Sequence, residues 1–212
     1  MEFITAQATD YCIAHSSSND QLLREIHDYT YQHHAEPHML CGPLVGKFLS
    51  MISHMIKPKR ILEIGTFTGY SALCLAEGLP KDGILHTIEK RTEDASIAKN
   101  FFDKSDFKDK IILHNGDAHE LIHNLNESWD LIFVDADKTG YIEYYKKLIE
   151  GVQSGTFLLF DNVLFHGEVL TENPAGKSAK AIAAFNEFLK TEDRIDKVML
   201  TVRDGITLAR KK

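Results

Sequence analysis

Apolar positions along the chain change period twice. Through the first fifty-six residues they recur at helical spacing, which predicts helices over 5–15, from Asn19 to His34, and over 42–56, with Ser18-Asn19-Asp20 as an N-cap and Pro58 closing the third. From Arg60 onward, short apolar runs alternate with amphipathic stretches: 60–65, 70–79, 84–89, 91–104, 111–115, 117–125, 130–135, 139–151 and 155–161. Short runs that are apolar throughout suit strands buried on both faces, and their alternation with helices implies right-handed crossovers and a parallel sheet. The pattern changes again after residue 161. An irregular stretch, 164–177, leads to a helix over 178–190 and to two strands, 196–202 and 206–210, joined by Arg203-Asp204-Gly205, where Asp-Gly signals a tight hairpin.

The chain of 212 residues, 43% of them hydrophobic, is expected to form one domain over 1–212, since that length buries one substantial core. A net charge of -7 excludes a field spread over the whole surface that would draw the protein onto nucleic acid or an anionic membrane. The N-terminal ten residues lack the layout of a signal peptide, and no apolar run is expected to approach the eighteen or so residues that span a bilayer, so the expected location is cytoplasmic. Cys12, Cys41 and Cys74 are widely spaced, odd in number and without a CxxC pair, and read as free thiols.

Candidate chemistry gathers where apolar runs end. Arg60-Ile61-Leu62-Glu63-Ile64-Gly65-Thr66-Phe67-Thr68-Gly69-Tyr70-Ser71 is a strand entering a glycine turn and then a helix, the arrangement that seats a nucleotide-like cofactor against backbone N–H groups. Glu63, buried among Ile61, Leu62 and Ile64, is costly there unless it meets a cation or N–H donors. It either holds the amino group of an amino-acid-like moiety or caps the turn. Glu89 ends the next strand, twenty residues after Gly69, where an acid takes both hydroxyls of a ribose. Gly116-Asp117-Ala118 either borders an adenine or forms a helix N-cap.

Two later strands end in hard oxygen donors, Phe133-Val134-Asp135-Ala136-Asp137-Lys138 and Phe160-Asp161-Asn162. Asp135, Asp161 and Asn162 suit a hard divalent cation, Mg²⁺ first, with Ca²⁺ or Mn²⁺ as alternatives, while leaving positions open for a substrate. Lys138 is the candidate base, because a neighbouring cation disfavours its charged form; alone it would read as a solvated helix-start lysine. His119 and His123 have HxxxH spacing, which fits either zinc or an exposed helix face. His33, His34, His38 and His166 flank the region that covers the site, and none is singled out.

Together these segments resemble the class I S-adenosylmethionine-dependent O-methyltransferases, specifically the cation-dependent caffeoyl-CoA and catechol O-methyltransferase-like family. The likeness rests on Glu63-Ile64-Gly65 with Thr68-Gly69-Tyr70-Ser71, on Phe133 to Lys138, on Asp161-Asn162-Val163, and on Asp204-Gly205-Ile206-Thr207. It implies a Rossmann-like α/β fold: a seven-stranded, mostly parallel sheet with an antiparallel last strand, helices on both faces, and extra N-terminal helices. By position, Met39, Glu63, Gly65, Ser71, Glu89 and Ala118 match cofactor-binding residues; Phe67 and Gly69 of the turn, Gly116, Asp117 and Asp135 complete the expected set. Asp135, Asp161 and Asn162 match metal ligands and Lys138 the general base.

The resemblance further implies a homodimer and a catechol-type small-molecule acceptor. A hydroxylated nucleoside in tRNA is the alternative acceptor, with Lys57, Lys59 and Arg60 or Arg210-Lys211-Lys212 as the basic patch. A nicotinamide oxidoreductase is a third reading, resting on the glycine turn and Glu89. The chain departs from its relatives at Cys41-Gly42-Pro43, where many read a Ser-Pro-Glu-type segment, at Arg203, where a glycine is common, and at Val198, where animal catechol enzymes carry a carboxylate.

Overall fold

The computed structural model describes residues 5–18 and 20–212. Helices α1 (Ala6–Ala14), α2 (Gln21–His33) and α3 (Gly42–Ile56) precede the sheet. Asp20 caps α2 by accepting from the Leu23 amide at 2.8 Å; Asn19, the expected start, lies outside the described residues. Alternation then follows: β1 (Arg60–Ile64), α4 (Tyr70–Ala76), β2 (Ile84–Glu89), α5 (Thr92–Phe102), β3 (Ile111–Asn115), α6 (Ala118–Leu121), β4 (Leu131–Val134), α7 (Tyr141–Ile149), β5 (Phe157–Asp161), α8 (Gly176–Lys190), β6 (Ile195–Leu200) and β7 (Ile206–Lys211).

The seven strands form one sheet in the order β3-β2-β1-β4-β5-β7-β6. β1 to β5 are parallel, and β7 enters antiparallel between β5 and β6. Strand alternation divides the core into two layers. Ile61, Leu85, Phe133 and Leu159 pack with α2 to α5, whereas Leu62, Ile132, Val134, Leu158 and Phe160 pack with α7 and α8. On the second face Tyr141, Tyr145 and Leu148 of α7 meet Phe160 and Phe185, each buried large side chain contributing about 1.5–3 kcal/mol.

The strand order creates the crevice. From β1 the chain builds outward to β2 and β3, then returns across β1 to β4, so the connections leaving β1 and β4 diverge at the C-terminal edge. The two strand ends touch: the Asp135 amide donates to Ile64 O at 2.9 Å, and a Cβ on Gly65, at φ 98°, would lie 2.0 Å from Asp135 O. No side chain fits there.

Two expectations change. The stretch Pro37–Ile56 is long and apolar enough by composition to cross a membrane. In the fold its helix α3 packs one face on the core, burying Val45 and Leu49 and donating from Ser53 Oγ to Leu75 O in α4 at 2.6 Å, while Met51 and Met55 on the other face are exposed. The terminal hairpin is also wider than an Asp-Gly turn predicts. β6 ends at Leu200, and 201–205 form the connection, closed by Gly205 N to Val202 O at 2.9 Å, because Arg203 takes a left-handed conformation (φ 49°) and Asp204 turns inward.

Candidate active site

At the C-terminal edge of β1, β2, β4 and β5 lies a cleft of about 940 Å³. The half beside β1 and β2, where the cofactor is expected, is shaped by Glu89. One carboxylate oxygen accepts from the Phe67 amide and the other from the Arg91 amide, both at 2.8 Å, so a single side chain fixes the glycine turn after β1 and the start of α5. Gly65, Phe67, Ser71, Glu89, Gly116, Asp117 and Ala118 all line this half, with Met39 in the roof. Asp117 accepts from the His119 amide as N-cap of α6, pairs with Lys90 and also lines the cleft.

Glu63 and Gly69 do not line the cleft. Glu63 is completely buried beneath it, accepting from Thr87 Oγ1 at 2.5 Å while Oε1 has no partner among the described residues. Burial pushes its carboxyl up to about 8, opposed in part by the Thr87 hydrogen bond. Because this value lies above the ordinary 4.5, the stabilising contribution of Glu63 is complete below 4.5 and is lost as pH rises through about 8. In cofactor-free protein the melting temperature of wild type should therefore fall between pH 6.5 and 9 by more than that of Glu63→Gln; parallel curves would refute a buried, protonated Glu63. Gly69 serves packing, since at φ 94° its absent Cβ makes room for Phe102.

At the other half, β4 and β5 deliver Asp135 and Asn162 to the cleft, with Asp161 buried directly beneath. Asp161 Oδ1 accepts from the Asn162 amide at 2.7 Å, while Oδ2 is buried without a partner among the described residues. Burial and the Asp135 charge push its carboxyl up to about 7. Asn162, left-handed at φ 57°, donates from Nδ2 to Asp204 Oδ2 at 3.2 Å, which leaves its amide oxygen available. Two carboxylates and an amide oxygen, one carboxylate oxygen orphaned, fit a hard divalent cation. Among the described residues no group of three or more His, Cys, Asp or Glu is arranged to hold a metal ion, and His119, whose HxxxH spacing with His123 fitted either zinc or an exposed helix face, stacks on Tyr144.

Lys138 Nζ lies 2.6 Å from Asp135 Oδ1 and 3.0 Å from the Tyr141 hydroxyl. Burial opposes its charge, but Asp135 and Tyr141 outweigh it and hold the ammonium well above the ordinary lysine value. The expected disfavouring of the charged form is thus absent while Asp135 is its counter-ion. Tyr141, which also hydrogen-bonds Val134 O and Asp161 O, bridges both acidic strand ends.

A model of the O-methyltransferase family matches residues 13–212. The chain belongs to this family. It is 35% identical over 200 residues to a caffeoyl-CoA O-methyltransferase of Stellaria longipes, covering 89% of this chain and 83% of the relative. To a catechol O-methyltransferase of Niastella koreensis it is 32% identical over 182 residues, covering 82% of each. Among solved structures, an S-adenosylhomocysteine-bound methyltransferase of Podospora anserina superposes with a TM-score of 0.90 at 29% identity, covering 97% of this chain and 94% of that one. The protein is therefore an S-adenosylmethionine-dependent O-methyltransferase of the caffeoyl-CoA and catechol type, and the nicotinamide reading falls.

Several residues of this O-methyltransferase site went unread in the sequence. Of the flanking histidines, His38 and His166 line the cleft, whereas His34 packs edge-on against Phe67 and pairs with the buried Asp94 at 3.0 Å, and His33 packs at a tilt against Tyr29. Tyr141, three residues beyond Lys138, carried a readable signal, an aromatic starting the helix after the acidic strand. Arg91 carried none, because its partner Glu36 is far away in the chain, and Asp204 was legible as a turn residue but not as the partner of Asn162 and His166.

Proposed function

We propose that the protein moves a methyl group from S-adenosylmethionine to one hydroxyl of a vicinal diol on an aromatic ring, with Asp135, Asp161 and Asn162 holding a divalent cation, Mg²⁺ first. The observation that carries this is the orphaned Asp161 Oδ2, buried beside Asp135 and an Asn162 amide oriented by Asp204. A buried carboxylate oxygen without a donor is costly unless a cation meets it. The printed names of the relatives, caffeoyl-CoA and catechol O-methyltransferases, favour the same acceptor chemistry.

Glu89 takes the ribose hydroxyls, the open turn at Gly65 admits the methionine portion, and Met39 closes the roof over the sulfonium end. When bound, the cation would polarise the acceptor hydroxyls as a Lewis acid and draw the Asp135 charge away from Lys138. Lys138 Nζ, released toward its neutral form, accepts the hydroxyl proton; Tyr141 keeps that nitrogen in place. The resulting oxyanion attacks the methyl carbon, the carbon–sulfur bond breaks, and S-adenosylhomocysteine leaves. Apolar roof residues Met39 and Leu40 exclude water from the approach.

Both basic segments considered for tRNA lie at the opposite edge of the sheet. Arg60 begins β1 and is paired with Glu127, and Arg210 sits across from Phe157, the first residue of β5. The test is transfer of labelled methyl to a panel of catechols and to bulk RNA, with Mg²⁺ present or chelated. Label on a catechol that disappears on chelation is expected; label on RNA alone would overturn the acceptor.

A further inference from the structure

The roof of the cleft is one short segment, a 3-10 turn over Pro37–Met39 continuing through Leu40 and Cys41, and two arginines hold it from opposite ends. At the cofactor end Arg91 Nη1 donates to Glu36 Oε2 at 2.8 Å, and Nη2 lies 3.9 Å from Met39 Sδ. At the acceptor end Arg203 Nη1 donates to Leu40 O at 2.7 Å and Nη2 to His38 O at 3.1 Å. One planar guanidinium thus spans two carbonyls of the same turn, a grip a lysine cannot reproduce.

Arg203 occupies its position at a conformational cost. Its φ of 49° is left-handed, a region where glycine would be at ease. Its neighbour Asp204 reaches the other way, accepting from Asn162 Nδ2 and from the His166 amide. Adjacent residues of one turn therefore hold the roof and the acidic floor of the acceptor half. The spacing between them is set by a peptide unit rather than by flexible side chains meeting across a gap.

We propose that Arg203 is a positioning residue for the acceptor: by fixing the His38–Cys41 roof at a set height above Asp135 and Asn162, it determines how a ring lies in the cleft and which of two neighbouring hydroxyls faces the methyl donor. This rests on the vicinal-diol reading. Arg91 does the corresponding work for the cofactor half, so the two halves of the roof are controlled separately.

The test compares Arg203→Gly, Arg203→Lys and Arg91→Gln. Glycine accepts the left-handed turn, so Arg203→Gly keeps the fold while releasing the roof, and backbone amides of 36–42 exchange with deuterium faster than in wild type. With a catechol bearing two inequivalent hydroxyls, its KM rises about tenfold, the equivalent of losing two hydrogen bonds. The ratio of the two monomethyl products moves toward parity, and S-adenosylhomocysteine affinity stays within about twofold. Arg203→Lys recovers part of the product ratio, and Arg91→Gln weakens the cofactor instead. Unchanged exchange in 36–42, or an unchanged KM and product ratio despite faster exchange, would overturn the assignment. If wild type methylates no vicinal diol, the acceptor reading fails, and the exchange measurement still decides whether Arg203 holds the roof.

Discussion

Asp161→Asn is expected to lower kcat/KM for a catechol acceptor by at least about 10³, while S-adenosylhomocysteine binds nearly as in wild type. The substitution keeps the volume and the hydrogen bond to the Asn162 amide but removes the charge of a carboxylate that is 1% exposed and has an orphaned oxygen. Nothing in the cofactor half depends on it, since Glu89, Phe67 and Ala118 sit on other strand ends. A companion measurement separates metal binding from folding. Mg²⁺ should raise the melting temperature of wild type and leave that of Asp161→Asn unmoved, because an ion stabilises only the state that binds it. Equal loss of cofactor affinity and turnover would show that Asp161 maintains the cleft rather than a cation.

The second large effect concerns the cofactor. Glu89→Ala removes two hydrogen bonds at once, to the amides of Phe67 and Arg91, and with them the acceptor proposed for the ribose hydroxyls. Charge-assisted hydrogen bonds to a carboxylate contribute about 1.5–3 kcal/mol each, so S-adenosylhomocysteine affinity should fall by about 10² or more by isothermal titration. Glu89→Gln keeps one acceptor oxygen and should fall in between. A Glu89→Ala protein that binds cofactor with wild-type affinity would remove the ribose role and leave Glu89 as a turn brace alone.

The alternation of apolar runs with amphipathic stretches determined the parallel sheet, because strands buried on both faces leave few polar positions. The same runs placed Glu89, Asp135 and Asp161 where the apolar stretch stops, whereas Glu63 stands inside β1, flanked by Leu62 and Ile64. The sequence could not say which of these acids faces the ligand. Glu63 and Asp161 lie at 0% and 1% exposure under the cleft floor while Asp135 lines it. That difference comes from the strand order, which sets β1 against β4 and brings Gly65 against the backbone of Asp135.

Local pattern likewise predicted a hairpin at Asp204-Gly205, but not the wider turn in which Arg203 and Asp204 reach opposite walls. Arg203 bonds residues more than 160 positions away, and Arg91 bonds Glu36 across 55. Periodicity reports only what a residue needs from its immediate neighbours: burial, a turn, a cap. The charge on Lys138, the orphaned oxygen of Asp161 and the two-ended hold on the roof depend on which strand ends lie side by side. That adjacency exists only once the sheet has closed in its particular order, so tertiary structure alone decided them.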